Sequence, residues 1–472
     1  MDPSLPDYLK AVRPVPADKR SAWYRNTAQT YASVMLWFVF WKGLAGAGDA
    51  PGGTLGSGLA APLAALLVAG LICHFLFYLV PGLLGMKTGL PLYVVGTSTY
   101  GARGGLLMPG FLMGLLQFGW LGVNAYAVAE LLYKCSGLAL VEQAGELKVP
   151  IPNPTHALIA AVFAAGAAFV GLRGIKYVAR VASFFPLIPL AVLLILFANT
   201  ADGLLDFTTD LVVDTAQAGK EPMAAIEIVV LLCTVVVGFF ATAGAAGADL
   251  AMNNRHAKDV QLGGLTGITL ATLVAGGLAV LIVAGAYGAS LVPPKLQGNL
   301  DPLDLMKEGG ILPPAASNTI MILLAVSCFP GGCFSAYIAA TSFKTTMPRV
   351  NPLVSVGLGT LVSILLAVSG LAGQVIDVFK IIGASFGPVC GAMAADYLLS
   401  GRRWAGPRSG FNPAGWISWV LGFVVGAADF IPGMAGKVVC PPVAAFLVGF
   451  VFYYLLAKLG LESRTIPMPA AH

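Results

Sequence analysis

Charge is scarce in this chain. Asp, Glu, Lys and Arg make up 10% of its 472 residues while 57% are hydrophobic, against about 25% charged in an average soluble domain. A water-soluble globule is excluded on that ground. Histidine is also scarce, with four residues at 74, 156, 256 and 472. No HExxH or Walker A stretch accompanies them, so a membrane-embedded enzyme lacks its reactive cluster. The seven cysteines contain no CxxC pair, and their odd number argues against a disulfide framework or a structural zinc site. Cations are too dispersed to track phosphates despite a formal net charge of +5, so nucleic acid is not an expected partner. The first thirty residues carry Lys10, Arg13, Lys19, Arg20 and Arg25 with no apolar stretch leading to a small-residue cleavage site. No cleaved signal peptide is expected.

What the chain has is apolar runs, at about 31–47, 59–85, 104–133, 155–172, 178–199, 224–249, 262–289, 316–342, 352–371, 375–400, 413–433 and 440–459. Each is close to the ~20 residues needed to cross a bilayer core. The expected fold class is an all-α integral membrane protein with twelve transmembrane helices. If the N-terminus is cytoplasmic, the outer loops hold only Lys134, Lys148, Lys220, Lys295, Lys307 and Lys437, and Lys42 and Lys380 lie within spans. The other 19 of the 27 cations fall on the inner side, so both termini are expected in the cytoplasm and the chain in an inner or plasma membrane. In the outer stretch 200–222, Asp202, Asp206, Asp210 and Asp214 recur every fourth residue. That spacing predicts one acidic helical face, either a solvated helix or a funnel for cations.

Glycine interrupts two spans at corresponding places. Span one runs into Gly43, Gly46, Gly48, Gly52 and Gly53, and span six contains Gly238, Gly244 and Gly247. Breaks in the first span of each of two five-span halves point to a secondary transporter with a midplane site; close helix packing is the plainer alternative. Gln117 and Trp120, in LLQFGWLGVNAYA, lie three apart on span three and share a helical face. A carboxamide can pair with the edge of an amide-like heterocycle and an indole can stack on its face. Phe240 and Thr242 on span six can add an opposing wall and a hydroxyl. Packing and an interhelical hydrogen bond are the alternatives for Trp120 and Gln117.

Five stretches carry a family resemblance: GGTLGSGL at 52–59, GMKTGLPLY at 85–93, QFGWLGV at 117–123, GFFATAGAAGADL at 238–250 and GPVCGAMAADYLLSGRR at 387–403. Over about the first ten spans the sequence resembles the nucleobase:cation symporter-1 family, nearest to its cytosine permease branch. The resemblance implies two inverted five-helix repeats with helices 1 and 6 broken, followed by two further helices. Residues 1–30 would then be a cytoplasmic tail, 31–199 the first repeat, 200–400 an outer loop with the second repeat, and 401–472 helices 11 and 12 with a short tail. It also implies import of a nucleobase or related heterocycle with a cation. Gln117 and Trp120 would contact the base, Phe240 would stack on its other face, and Thr242 would stand where a member carries a small hydroxyl residue.

Span eight departs from sodium-coupled members. Its stretch AVSCFPGGCFSAY at 325–337 offers Ser327 and Ser335 as hydroxyls, beside Cys328 and Pro330, a poor half-site for a hard cation. Lys42, immediately before Gly43 and the glycine break, is the candidate substitute for the ion, with its ammonium on span-one carbonyls and its proton lost on closure. Pairing with Glu227 or snorkelling to an interface is the alternative. Asp377 and Lys380, three apart, suit a local ion pair or a gate. Asp249 and Asp396 suit gate or loop-anchoring contacts with Arg255, Arg402 or Arg403. His74 is expected as a packing residue, with Glu130 and Glu227 within reach of water near outer ends.

The expected function is a secondary active transporter that imports a small heterocycle by alternating access, with no cofactor and with a proton favoured over sodium. Cytosine is the first choice; uracil, a hydantoin, allantoin or a thiamine-precursor pyrimidine are open. A passive channel and a transporter-like nutrient receptor are the competing classes.

Overall fold

Helices begin where the sequence supplies a cap or a proline. Asn153 accepts from the N–H groups of Thr155 and His156 at the start of span four, with Pro154 in the first turn. Asn351 does the same for span nine through Leu353, ahead of Pro352. Both residue pairs satisfy or remove N–H groups that have no intrahelical partner. A computed structural model describes residues 5–26, 52–137, 141–143, 146–148, 151–174, 185, 187–213, 221–293, 305–306 and 310–468. Span one, with Lys42 and Gly43, lies outside the described residues.

Among the described residues, nine helices are long and apolar enough to cross a membrane: Ala60–Thr88, Leu106–Cys135, Pro154–Leu172, Leu187–Leu205, Ala225–Ala245, Ala257–Gly288, Pro314–Thr346, Val375–Leu399 and Pro441–Lys458. Two shorter apolar helices, Pro352–Val368 and Pro413–Gly426, fall where spans nine and eleven are expected. Among the described residues the architecture is all-helical apart from a short antiparallel hairpin, Val141–Gln143 with Glu146–Lys148, in the loop after span three. The acidic stretch 200–222 does not form one face. A 3-10 turn covers Ala201–Leu205 and a separate helix Asp210–Val213, so Asp206 falls between them, while Asp214 is outside the described residues.

Several spans are irregular, and the irregularities sit where spans meet. Spans two and seven carry π-helical turns at Cys73–Tyr78 and Leu265–Leu270, and the Thr269 hydroxyl donates to Gly70 C=O across that contact at 2.9 Å. Span eight breaks at Cys328, between helices Pro314–Ser327 and Phe329–Thr346, just before Pro330, which cannot donate to the preceding turn. Span six breaks at Ala246 and resumes as Gly247–Ala251. Close approach explains a glycine stripe on span ten: a Cβ on Gly391 would come within 2.1 Å of Phe446 C=O on span twelve. Small residues of this kind let membrane helices touch backbone to backbone.

On the face that carries both chain ends, a buried polar clasp fixes the connection between spans two and three. Arg408 donates to Asp396 (3.0 Å), Glu462 (2.7 Å) and Ser98 C=O (2.7 Å). The hydroxyls of Ser98 and Thr99 donate to the other Asp396 oxygen at 2.6 and 3.1 Å. Asp396 is thus a loop anchor held by Arg408; the expected partners Arg402 and Arg403 do not provide the pairing. Glu130 also differs from expectation: it is buried in an ion pair with Lys134 at 3.6 Å, one helical turn on, away from water.

Candidate functional site

The middle of span three brings an indole and two amides to one face. Trp120 is buried, and its indole N–H donates to Thr242 Oγ1 on span six at 3.2 Å. Phe239 of span six meets the indole edge-on at 4.9 Å. Phe379 of span ten lies against it at 5.1 Å with the rings only 32° apart. Three spans therefore converge on Trp120. Phe240 stands beside Phe239, at 5.0 Å and 73°, and is buried. Gly238 allows the convergence, because a Cβ there would come within 2.5 Å of Phe379 C=O.

The amides are buried and their hydrogen-bonding capacity is little used. Gln117 donates to Met113 Sδ at 3.5 Å, and a thioether is a weak acceptor. Asn124, one turn beyond Trp120, donates to Trp120 C=O at 2.8 Å. Its Oδ1 is buried without a partner among the described residues and faces Gly331 of the span-eight break, where a Cβ would lie 3.1 Å away. Sequence reading missed Asn124, although its position seven residues after Gln117 puts both on one helical stripe. Phe239 and Phe379 were also missed, since neighbouring aromatics in an apolar run are indistinguishable until a facing span selects one.

The remaining candidates spread around this centre. Ser327 spends its proton on Leu324 C=O at 2.7 Å, at the end of the helix that Cys328 terminates. Asp249 accepts from Leu92 N–H at 3.3 Å, tying span six to the two-to-three connection. Lys380 lies 3.8 Å from Asp377 but 2.9 Å from Asp429, in the loop after span eleven, so its principal partner is Asp429. Partial burial pushes the Asp429 carboxyl up, but the Lys380 ammonium and the Gly436 N–H outweigh it and hold the group below the usual carboxylate range. Glu227 accepts from Ala224 N–H and caps span six. Both His74 nitrogens are buried without a partner among the described residues. The pentapeptide GASFG at 383–387 has the form of a nucleophile elbow, yet it runs through the middle of a continuous helix and Ser385 donates to Ile381 C=O at 2.8 Å. A nucleophile elbow needs a strand-to-helix turn.

A bundle of apolar spans, broken in spans six and eight and converging on a buried aromatic and amide centre, defines a membrane transporter. The chain belongs to the family described as permease for cytosine/purines, uracil, thiamine, allantoin, whose model matches residues 14–456. That family is one of permeases rather than enzymes. The sequence is 26% identical over 431 residues to the cytosine permease of Escherichia coli strain K12, covering 88% of each chain. It is 25% identical over 431 residues to the cytosine permease of Escherichia coli O157:H7, again covering 88% of each. The fold is similar to Mhp1, a nucleobase-cation-symport-1 family transporter in a closed conformation with bromovinylhydantoin bound, with a TM-score of 0.64 at 17% identity and 98% of each chain covered. A Na+-coupled sialic acid symporter gives 0.61 at 13% identity, covering 98% of this chain and 93% of that one. At those identities the two structures speak to fold alone.

Proposed function

We propose that the protein imports cytosine or a closely similar nucleobase by alternating access, with the base stacked on Trp120. The observation that carries this reading is the pair of buried, underused amides, Gln117 and Asn124, on the stripe that bears the indole. Leaving a buried polar group unsatisfied costs about 1–3 kcal/mol, and a flat ligand with donors and acceptors along one edge relieves that cost. Thr242 presents its hydroxyl at the indole edge, and Phe239 with Phe240 forms the wall on span six. The similarity to cytosine permeases supports cytosine as the first substrate to test.

Proton coupling is the favoured mode. Span eight offers Ser327 and Cys328 where a sodium site needs several hard oxygens, and Lys42 can stand in for the ion. The experiment is uptake of labelled cytosine into proteoliposomes under an inward proton gradient or an inward sodium gradient, each challenged with unlabelled uracil, allantoin and a hydantoin. Proton-driven, cytosine-selective accumulation is expected. Sodium-driven accumulation would discard the coupling proposal, and no saturable flux under either gradient would discard the carrier reading of this site.

A further inference from the structure

The N-terminal segment is stitched across the face that carries both chain ends. At its start, the Tyr8 hydroxyl donates to Ala102 C=O at 2.5 Å, its ring lies 6.3 Å from that of Tyr93, and Leu9 is buried. Midway, Val15 N–H donates to Gly89 C=O at 2.9 Å and Arg20 donates to Met86 C=O at 2.6 Å, both at the end of span two. Further on, Ser21 N–H donates to Asn253 C=O at 2.8 Å, Ser21 forms a parallel bridge with Asn254, and Trp23 N–H donates to Asp259 at 3.2 Å. These last partners lie between the broken end of span six and the start of span seven. One peptide thus joins the two-to-three connection to the six-to-seven connection. The Asp249 contact with Leu92 N–H joins the same two regions from inside.

We infer that residues 5–26 are a latch that holds this face of the carrier closed. On this inference, opening the site to this side parts the broken end of span six from the two-to-three connection, and the stitching crosses that gap. Opening therefore requires release of the Ser21 and Trp23 contacts while the Tyr8 end stays docked. This inference rests on the alternating-access reading, and not on which heterocycle is carried.

Two perturbations in opposite directions test it. Arg20→Ala removes the bonds to Met86 and Val15 C=O, and Ser21→Pro deletes the N–H that reaches Asn253. Each is combined with Ala246→Cys, a reporter at the span-six break, and labelled with an impermeant thiol reagent from the N-terminal side. Release is expected to speed labelling about tenfold relative to the reporter alone, as a shift in the open population. Conversely, Ser21→Cys with Asn254→Cys places two thiols on bridged strands about 4.8 Å apart, within reach of a disulfide. Oxidation is expected to abolish uptake, and reduction to restore it. Unchanged labelling in both release variants, or full uptake by completely cross-linked protein, would overturn the latch. Uptake by the reduced double-cysteine protein checks the carrier reading separately.

Discussion

Phe379 occupies the place against Trp120 where a planar ligand would stack, and this yields a counter-intuitive expectation. Its ring makes two aromatic contacts, at 5.1 Å to Trp120 and 5.3 Å to Phe239. At about 0.5–1.5 kcal/mol for each such pair, lifting the ring away costs about 1–3 kcal/mol, a penalty of roughly 5- to 150-fold on the affinity of any base that replaces it. Phe379→Ala removes that competition. Equilibrium binding of labelled cytosine to the purified variant should tighten by about thirtyfold, near the middle of this range. Uptake at saturating substrate should fall, because the ring no longer closes the site over its cargo. Since truncating a buried Phe commonly costs about 3–5 kcal/mol of stability, the thermal midpoint is measured alongside, with Phe379→Leu as the milder variant. Tenfold weaker binding in folded Phe379→Ala would instead place the ring in the ligand's own sandwich.

Other consequences follow from named contacts. Asp396→Ala strips the carboxylate from Arg408 and from the Ser98, Thr99 and Ser400 hydroxyls, but Glu462 stays 2.7 Å from Arg408; the loss should fall near the lower end of the 3–5 kcal/mol typical of broken buried pairs, about 3 kcal/mol. A denaturation series giving less than about 1 kcal/mol would mean that the clasp is not structural. Asp429 has a depressed folded pKa, so its contribution to stability is full above the unfolded value, near 3.8, and is lost as pH falls through the lower folded value. Lys380→Met should remove that acid-dependent component from a melting series carried from about pH 5 down to about pH 2, and an unaltered pH profile would count against the pair. Lys42→Met should abolish the pH dependence of uptake; an unchanged dependence would leave Lys42 as a structural cation.

How much was legible depended on the range of the interaction. The spans were, because hydropathy over about 20 residues reports the bilayer directly; their ends were set by caps such as Asn153 and Asn351. Trp120 and Gln117 were legible as chemistry at helical spacing. Asn124 was not, because its meaning comes from Gly331, two hundred residues away, which withholds a partner from its Oδ1. The same applies to Phe379, which reaches Trp120 only because Gly238 lets span ten close on span six. Charge pairing within a helix was half-readable: Lys380 and Asp377 are neighbours, yet Asp429 from a distant loop lies nearer. Arg408 as the partner of Asp396 could not be chosen over Arg402 or Arg403, since loop geometry decides which guanidinium turns inward.

The most direct test of the central claim is a structure of the protein with cytosine bound. The base is expected stacked on the Trp120 indole, with the Gln117 and Asn124 amides on its polar edge and Phe379 moved off the ring. A base bound elsewhere, with Phe379 still lying on the indole and Asn124 Oδ1 still unpaired, would contradict that claim.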